Sequence, residues 1–257
     1  MIGKQIIVTR AKGQSQEFIK QLEKYSFQTI EWPLISFEKL ALKEAELTYL
    51  KNVTSFDWLV FTSANGVHFF MEAIGSLGVT ITQWPKVAAV GKKTSDVLLS
   101  YHVNVDLKPE EFVAEELLAE LKKKVFEGSK VLLARGKRGR PLIREDLLHN
   151  GVKVVDLLLY DTVLPKESLE QFHEMNIVDE VLFTFTSSST VHHFMKVVDH
   201  FQINVEQKTW KFACLGPITK KTCLDYGLTV VVQPSSYTVQ DFAKAIVHYY
   251  LEEENQR

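Results

Sequence analysis

Cysteine is nearly absent: Cys214 and Cys223 are the only two in 257 residues. A single pair builds no disulfide framework, and its spacing is not that of a zinc site. Long apolar runs are lacking too. No window approaches the roughly 18 apolar residues that a membrane span requires. The opening stretch MIGKQIIVTRAKGQSQ has one short apolar run, ending at Thr9-Arg10, and no small-residue cleavage pattern. The chain is therefore expected to act in the cytoplasm without a membrane partner, and Asn52-Val53-Thr54 is read as a chance glycosylation sequon. Neither sign of charge dominates. Lys and Arg number 30 against 32 Asp and Glu, so no global basic field draws nucleic acid, and an anionic ligand must be held by local groups. Familiar catalytic signatures are missing as well. There is no Walker A loop, G-x-G-x-x-G fingerprint, nucleophile elbow, Ser-His-Asp order or metal-ligand cluster. An enzyme made from what remains works by gripping and positioning a polyanionic substrate, with no metal and no cofactor.

What is present is a soluble globular composition, 46% apolar and 24% charged, in a length that suits one large domain or two ordinary ones. The chain also repeats itself. FDWLVFTSANGVHFFMEAI (56–74) aligns with DEVLFTFTSSSTVHHFMKVV (179–198), and VAAVGKKTSDVLLSYHVNVDLKP (87–109) with FACLGPITKKTCLDYGLTVVVQP (212–234). Each copy is followed by an amphipathic stretch, FVAEELLAEL from Phe112 and YTVQDFAKAI from Tyr237. A second pair aligns Gln5–Ile35 with Lys130–Tyr160. The order is thus A, B, A′, B′.

Apolar runs rich in Val, Ile, Leu and Phe predict strands buried on both faces, as in a parallel sheet. Between them lie helical patterns such as SQEFIKQLEKY, with Phe18, Ile19 and Leu22 on one side. Asn150-Gly151 and Tyr226-Gly227 read as helix stops. Alternating β and α segments give an α/β fold with right-handed crossovers. Either A joins B and A′ joins B′, or the middle of the chain is inserted between its ends; the pattern alone does not choose.

The candidate chemistry sits at strand-to-helix corners. Thr62-Ser63 and Thr186-Ser187-Ser188-Ser189 stand where a strand ends and a helix begins. N-capping, a contribution of about 1 kcal/mol, accounts for one hydroxyl there but poorly for a run. Free first-turn N–H groups and the positive helix end also make an anion site, at the strand ends where open α/β sheets bind ligands. Gly91-Lys92-Lys93-Thr94 and Gly216-Pro217-Ile218-Thr219-Lys220 open two further helices, either as tight turns with solvated lysines or as a second anion corner in each copy. LARGKRGRPLIR (133–144) puts several basic groups in one corner, which could bind phosphate or carboxylate; taken by itself it reads rather as a solvated charged turn. His68, His192 and His193 are read as surface or helix-face residues. Tyr160, at the end of VVDLLLY, is a strand-end tyrosine or the one general acid of the site, since its hydroxyl can donate to a leaving oxygen.

At these residues, and in order along essentially the whole chain, the sequence resembles the uroporphyrinogen-III synthases. IIVTRAKGQSQEF, DWLVFTSANGVHFF, VAAVGKKT, ARGKRGRPLIREDLLHNGVKV, LLYDT, FTFTSSSTVHHF, ACLGPITKKTCLDYGL and PSSYTVQDFAKAI carry the resemblance. It implies two similar α/β domains, each a parallel sheet flanked by helices, joined by a two-stranded connection. Residues 1–35 and 165–257 then form a discontinuous domain and 36–164 an inserted one, with a hinge near 33–37 and 160–165. It further implies that a monomer binds hydroxymethylbilane in the inter-domain cleft and closes it to uroporphyrinogen III, losing water and inverting ring D through a spiro intermediate. On that resemblance Thr62, Ser63, Thr94, Ser187, Ser189, Thr219 and Lys220 line the substrate site. Tyr160 matches the tyrosine that helps the hydroxyl leave. Lys92-Lys93 stands where the second copy has Pro217-Ile218, so the two jaws need not grip alike. Thr184 and Thr186 flank Phe185, and strand alternation puts both on one side. A hinge-closing binder or sensor of a polyanion is the alternative that the same architecture allows.

Overall fold

The computed structural model describes residues 4–109, 114–177 and 180–255; Phe112, Val113 and Asp179, used in the repeat alignment, lie outside them. The chain forms two compact units, residues 1–37 with 163–257 and residues 38–162. In order, its elements are β1 (Gln5–Val8), α1 (Gln16–Glu23), β2 (Gln28–Glu31), β3 (Ser36–Lys39), α2 (Glu44–Lys51), β4 (Trp58–Phe61), α3 (Ala64–Ser76), β5 (Lys86–Ala89), α4 (Lys92–Ser100) and α5 (Ala114–Lys122). There follow β6 (Lys130–Gly136), α6 (Leu142–His149), β7 (Lys153–Val163), α7 (Glu167–Glu174), β8 (Val181–Phe185), α8 (Ser188–His200), β9 (Lys211–Cys214), α9 (Pro217–Asp225), β10 (Val230–Val232) and α10 (Val239–Asn255).

The first unit holds a sheet ordered β10-β9-β8-β1-β2, and the second one ordered β3-β7-β6-β4-β5. β1 runs parallel to β2 and β8, and β9 to β8 and β10. β4 runs parallel to β5 and β6, and β6 to β7. Under the repeat, β8 corresponds to β4 and β1 to β6, so both sheets place equivalent strands at their centres. The chain passes from one unit to the other at Phe37–Glu38, within β3, and at Thr162–Val163, within β7. These two strands are sheet neighbours.

Strand alternation sorts the first unit's core into two layers. Ile7, Phe183 and Phe185 face Trp32, Phe194, Phe212 and Cys223 on one side of the sheet. Ile6, Val8 and Leu182 face Phe18, Leu22, Phe242 and Ile246 on the other. Thus α8 and α9 cover one face, α1 and α10 the opposite one. The seam between β1 and β8 is where strand order reverses. In the second unit α5 and α6 likewise cover one face through Leu117, Leu121 and Leu147. In open α/β sheets such a seam leaves a crevice at the carboxyl ends of its strands.

The predicted helix stops at Gly151 and Gly227 both take a positive φ of 74°, a conformation that costs glycine nothing sterically. The two cysteines are buried free thiols with their sulfurs 3.3 Å apart. One expectation about histidine needs correction. His68 and His192 are exposed, each beside a tyrosine hydroxyl, Tyr101 at 3.2 Å and Tyr226 at 2.9 Å. His193 is buried, with Nδ1 2.6 Å from the Leu34 carbonyl. A one-residue step turns a helix by about 100°, and that places His193 on the sheet-facing side.

Phe194 packs at the centre of the larger aromatic cluster, with ring centroids 5.0 Å from Phe183, 5.3 Å from Phe185 and 5.6 Å from Phe212. Truncating such a ring removes burial and leaves a cavity. Phe194→Ala should destabilise the protein by about 3–5 kcal/mol in urea denaturation; a loss under about 1 kcal/mol would mean that the cluster collapses around the gap.

Candidate active site

In the second unit the seam corners are those after β4 and β6. Ser63 caps α3: its extended backbone (φ −159°, ψ 152°) aims Oγ back at the helix, where it accepts from Gly66 N–H at 3.0 Å. That is the N-cap anticipated from the sequence, but Ser63 has a second partner. Its Oγ lies 3.0 Å from the hydroxyl of Tyr160 on β7. Two of the expected site residues are therefore in direct contact, with half-buried Thr62 beside them.

Three further features fix the Tyr160 ring. It stacks on Phe69 of α3, with centroids 4.9 Å apart and planes 17° from parallel. β7 carries an irregularity that lets Leu158 pair with Arg135 and Tyr160 with Gly136, so Leu159 is extra. Bulges of this kind re-aim a side chain. Finally, Gly136 lies against the ring itself, for a Cβ placed there would sit 2.6 Å from Cζ and 2.9 Å from the hydroxyl oxygen of Tyr160. Burial pushes the phenol pKa above its ordinary value, and the Ser63 hydrogen bond offsets this only in part. The hydroxyl thus holds its proton at neutral pH.

The basic corner after β6 departs from the expected solvated turn. Arg135 is buried and forks onto Asp156, with Nε–Oδ1 and Nη2–Oδ2 both 2.6 Å. Its Nη1 donates to the Gly139 carbonyl at 2.8 Å and to that of Gly136 at 3.2 Å, tying down the loop. Further along, Arg138 pairs with Asp161 at 2.9 Å and Arg140 with Glu115 at 2.5 Å. Burial opposes the charge of Asp161, but the hydrogen bonds from Arg138 and the Thr162 N–H hold its carboxyl below the usual range. Much of this basic charge is neutralised within the corner. The sequence hid that because Asp156 and Asp161 arrive from the neighbouring strand.

The corresponding hydroxyl corner of the first unit is built differently. Ser187 is the N-cap residue of α8 in the same extended conformation (φ −156°, ψ 156°), yet it makes no cap bond, and its Oγ is buried without a partner among the described residues. Ser188 bonds Thr222 of α9 at 2.7 Å, and Thr190 Oγ1 donates to the Ser187 carbonyl at 2.6 Å. Ser189 is half-buried. Thr184 is wholly buried and donates to the Ile7 carbonyl at 2.9 Å, so of the two threonines flanking Phe185 only half-buried Thr186 has accessible surface.

Thr94 and Thr219 stand third in α4 and α9 and are almost fully buried, at 3% and 5% exposure. What these corners offer outward is mainly backbone. The first intrahelical bonds are Ser95 N–H to Gly91 and Lys220 N–H to Gly216; among the described residues this leaves the amides of Lys92, Lys93 and Thr94, and those of Ile218 and Thr219 after Pro217, as helix-end donors. The Lys220 side chain is half-buried, and Lys92 and Lys93 are exposed. Two surface hollows of about 340 Å³ and 300 Å³ are lined by other residues, among them Leu42 and Leu47 in one, Phe172 and Trp210 in the other. Among the described residues no group of three or more His, Cys, Asp or Glu is placed to hold a metal ion, and no helix is long and apolar enough to cross a membrane.

With this geometry in hand, comparison with known proteins is informative. The sequence profile described as "Uroporphyrinogen-III synthase HemD" matches residues 16–244. The uroporphyrinogen-III synthase of Synechococcus elongatus is 30% identical over 96% of this chain and 95% of its own length. A putative uroporphyrinogen-III synthase of Methanocaldococcus jannaschii is 28% identical over 94% and 97%. Among solved structures, a mutant uroporphyrinogen III synthase of Thermus thermophilus superposes with a TM-score of 0.67 at 16% identity, covering 97% of this chain and all of its own. The Helicobacter pylori enzyme gives 0.62 at 18%, covering 95% and 99%. At such identities the structures speak for the fold alone, which they share with this chain from end to end. The profile match, which spans most of the sequence, settles the rest: the chain belongs to the uroporphyrinogen-III synthase family.

Proposed function

We propose that the chain converts hydroxymethylbilane to uroporphyrinogen III by folding the linear tetrapyrrole onto its duplicated corners while Tyr160 assists departure of the hydroxyl. The observation that carries this reading is the Tyr160–Ser63 contact at a strand-order seam, in a chain whose family performs a lyase-type cyclisation. Loss of water from the ring A hydroxymethyl group leaves an electrophilic azafulvene. The substituted carbon of ring D attacks it, giving a spiro pyrrolenine that fragments and recloses with ring D inverted. The pyrroles supply nucleophile and electron push, so the protein need only position the ends and protonate the leaving oxygen. Positioning alone can lower such a barrier by several kcal/mol.

The substrate's eight carboxylates suit the hydroxyls of Thr62, Ser63, Thr94, Ser187, Ser189 and Thr219, the backbone amides adjacent to them and the Lys220 ammonium. A phenol that stays protonated is a weak acid, which fits an assisting role. On this reading the enzyme works without a cofactor, as a cytoplasmic monomer.

Incubation with freshly prepared hydroxymethylbilane, followed by chromatography of the oxidised products, should give the type III isomer. Type I alone would leave a polyanion binder as the better description. Tyr160→Phe should lower turnover about 10²-fold, the low end for general acid catalysis, and wild-type turnover in that variant would remove Tyr160 from the mechanism. Because its pKa is raised, the wild-type rate should lose the Tyr160 contribution only above the ordinary tyrosine range, leaving pH 6–9 free of that ionisation. Gly136→Ala should push the phenol off Ser63 and reproduce most of the Tyr160→Phe loss, with little further effect when the two are combined. Single alanine replacements of Ser187, Ser189 or Thr62 should each cost no more than about tenfold, the low end for a hydrogen bond to a charged group, because neighbouring amides share the grip.

A further inference from the structure

Arg10 is the residue the two halves treat most differently. Aligning Gln5–Ile35 with Lys130–Tyr160 sets Arg10 against Arg135, Gln14 against Gly139 and Glu31 against Asp156. The sheet registers agree: Val8 pairs with Glu31 as Leu133 pairs with Asp156. Both arginines tie down the loop that follows their strand, Arg10 Nε donating to the Gln14 carbonyl at 2.9 Å and Arg135 Nη1 to that of Gly139 at 2.8 Å.

Their counter-ions differ. Arg135 is forked onto Asp156. Glu31, the counterpart of Asp156, instead accepts from Ser15 Oγ. Among the described residues no carboxylate pairs with Arg10, and its two terminal nitrogens make no hydrogen bond. Burial depresses its pKa, and the charge of Glu17 compensates only in part. Glu17 itself accepts from the Gln240 amide. A half-buried guanidinium without a counter-charge is costly to the folded chain, and its planar fork matches a carboxylate.

A second orphan lies across the seam. β1 and β8 are neighbours, with Val8 opposite Thr184, so Arg10 and Thr186-Ser187 leave adjacent strands at the same end. Among the described residues Ser187 Oγ is a buried hydroxyl without a partner. In the other unit both counterparts are satisfied, Arg135 by Asp156 and Ser63 by Gly66 and Tyr160.

We propose that Arg10, with Ser187, is a carboxylate subsite of the first unit that takes one acetate or propionate arm of the tetrapyrrole. This rests on the proposed reaction for the identity of the ligand. The probe is uroporphyrin III, the stable aromatic octacarboxylate, with binding read by fluorescence titration and stability by the Tm of the unliganded protein. Arg10→Gln should weaken binding about 10- to 100-fold, the range for hydrogen bonds to charged groups, and Arg10→Lys should recover part of it. Tm should change little in Arg10→Gln, because no carboxylate is stranded and only the Gln14 carbonyl loses its donor. Arg135→Gln, which strips half-buried Asp156 of its forked partner and leaves it only Arg144 at 3.6 Å, should lower it. The subsite is overturned if the wild type does not bind the porphyrin, if Arg10→Gln binds within twofold of wild type, or if weaker binding comes only with a lowered Tm. A chain that makes no type III isomer but binds the porphyrin through Arg10 would overturn the reaction and keep the subsite.

Discussion

The strand-end corners exist because of the bonds that pair β8 with β1 and β4 with β6. Neither pair is consecutive in the chain. Each joins two parallel segments, and in the first unit their crossover helices lie on opposite faces, α1 on one and α8 and α9 on the other, with α10 returning to the side of α1. Nothing in the chain's path is then obliged to cross the carboxyl ends of the middle strands. In the first unit the seam is closed with side chains as well as backbone. Thr9 Oγ1 donates to the Thr184 carbonyl at 2.6 Å, and Thr184 Oγ1 to that of Ile7 at 2.9 Å. In the second it depends on a missing side chain, since a Cβ on Gly66 would lie 3.0 Å from the Ala134 carbonyl. The start of α3 can approach β6 that closely only with glycine there.

Equivalent positions have since been put to different uses. Ser63 spends its hydroxyl on a helix cap and a tyrosine, whereas Ser187 caps nothing. At the position after the seam arginine the first unit has Ala11 and the second Gly136, and only the second must make room for an aromatic ring. These differences are local because the hydrophobic layers beneath do not depend on them. Ile7, Phe183 and Phe185 pack against Phe194 and Phe212 whatever the corner above them carries.

Much of this was legible in the sequence, for reasons that can be named. Strands such as Gln5–Val8 and Trp58–Phe61 are buried at every position, and unbroken apolar runs announce that. The hydroxyl corners could be found because the chain states them twice. What stayed hidden depends on strand register and on a helix's rotation. Arg135 looks like a surface charge until Asp156 is brought beside it from 21 residues away. Tyr160 could be chosen by resemblance, but its hold on Ser63 depends on an extra residue, Leu159, that no periodicity marks. His192 and His193 are indistinguishable in the sequence, and helix rotation alone decides that the second is buried. Gly136 passed as one of several glycines in a basic loop; the signal that singles it out is the ring lying against it.

The divergence of the two copies also bears on how a protein with so little catalytic equipment can be selective. A linear substrate whose four rings carry the same charges offers a charged surface little by which to tell one end from the other. Two identical corners would not distinguish its ends. In the second unit the seam arginine is neutralised internally, and the group next to it is a protonated phenol that burial keeps neutral. In the first, among the described residues, the matching arginine has no ion pair and the matching serine hydroxyl no hydrogen-bond partner. On the reading proposed here, the first corner suits a carboxylate arm and the second an uncharged hydroxymethyl end. Each discriminates by itself: a carboxylate beside the phenol would meet a group that burial keeps neutral, and a hydroxymethyl group beside Arg10 would leave the guanidinium without an ion pair. Like duplicates can therefore make an unlike pair, at the cost of one cation that the folded protein alone does not satisfy.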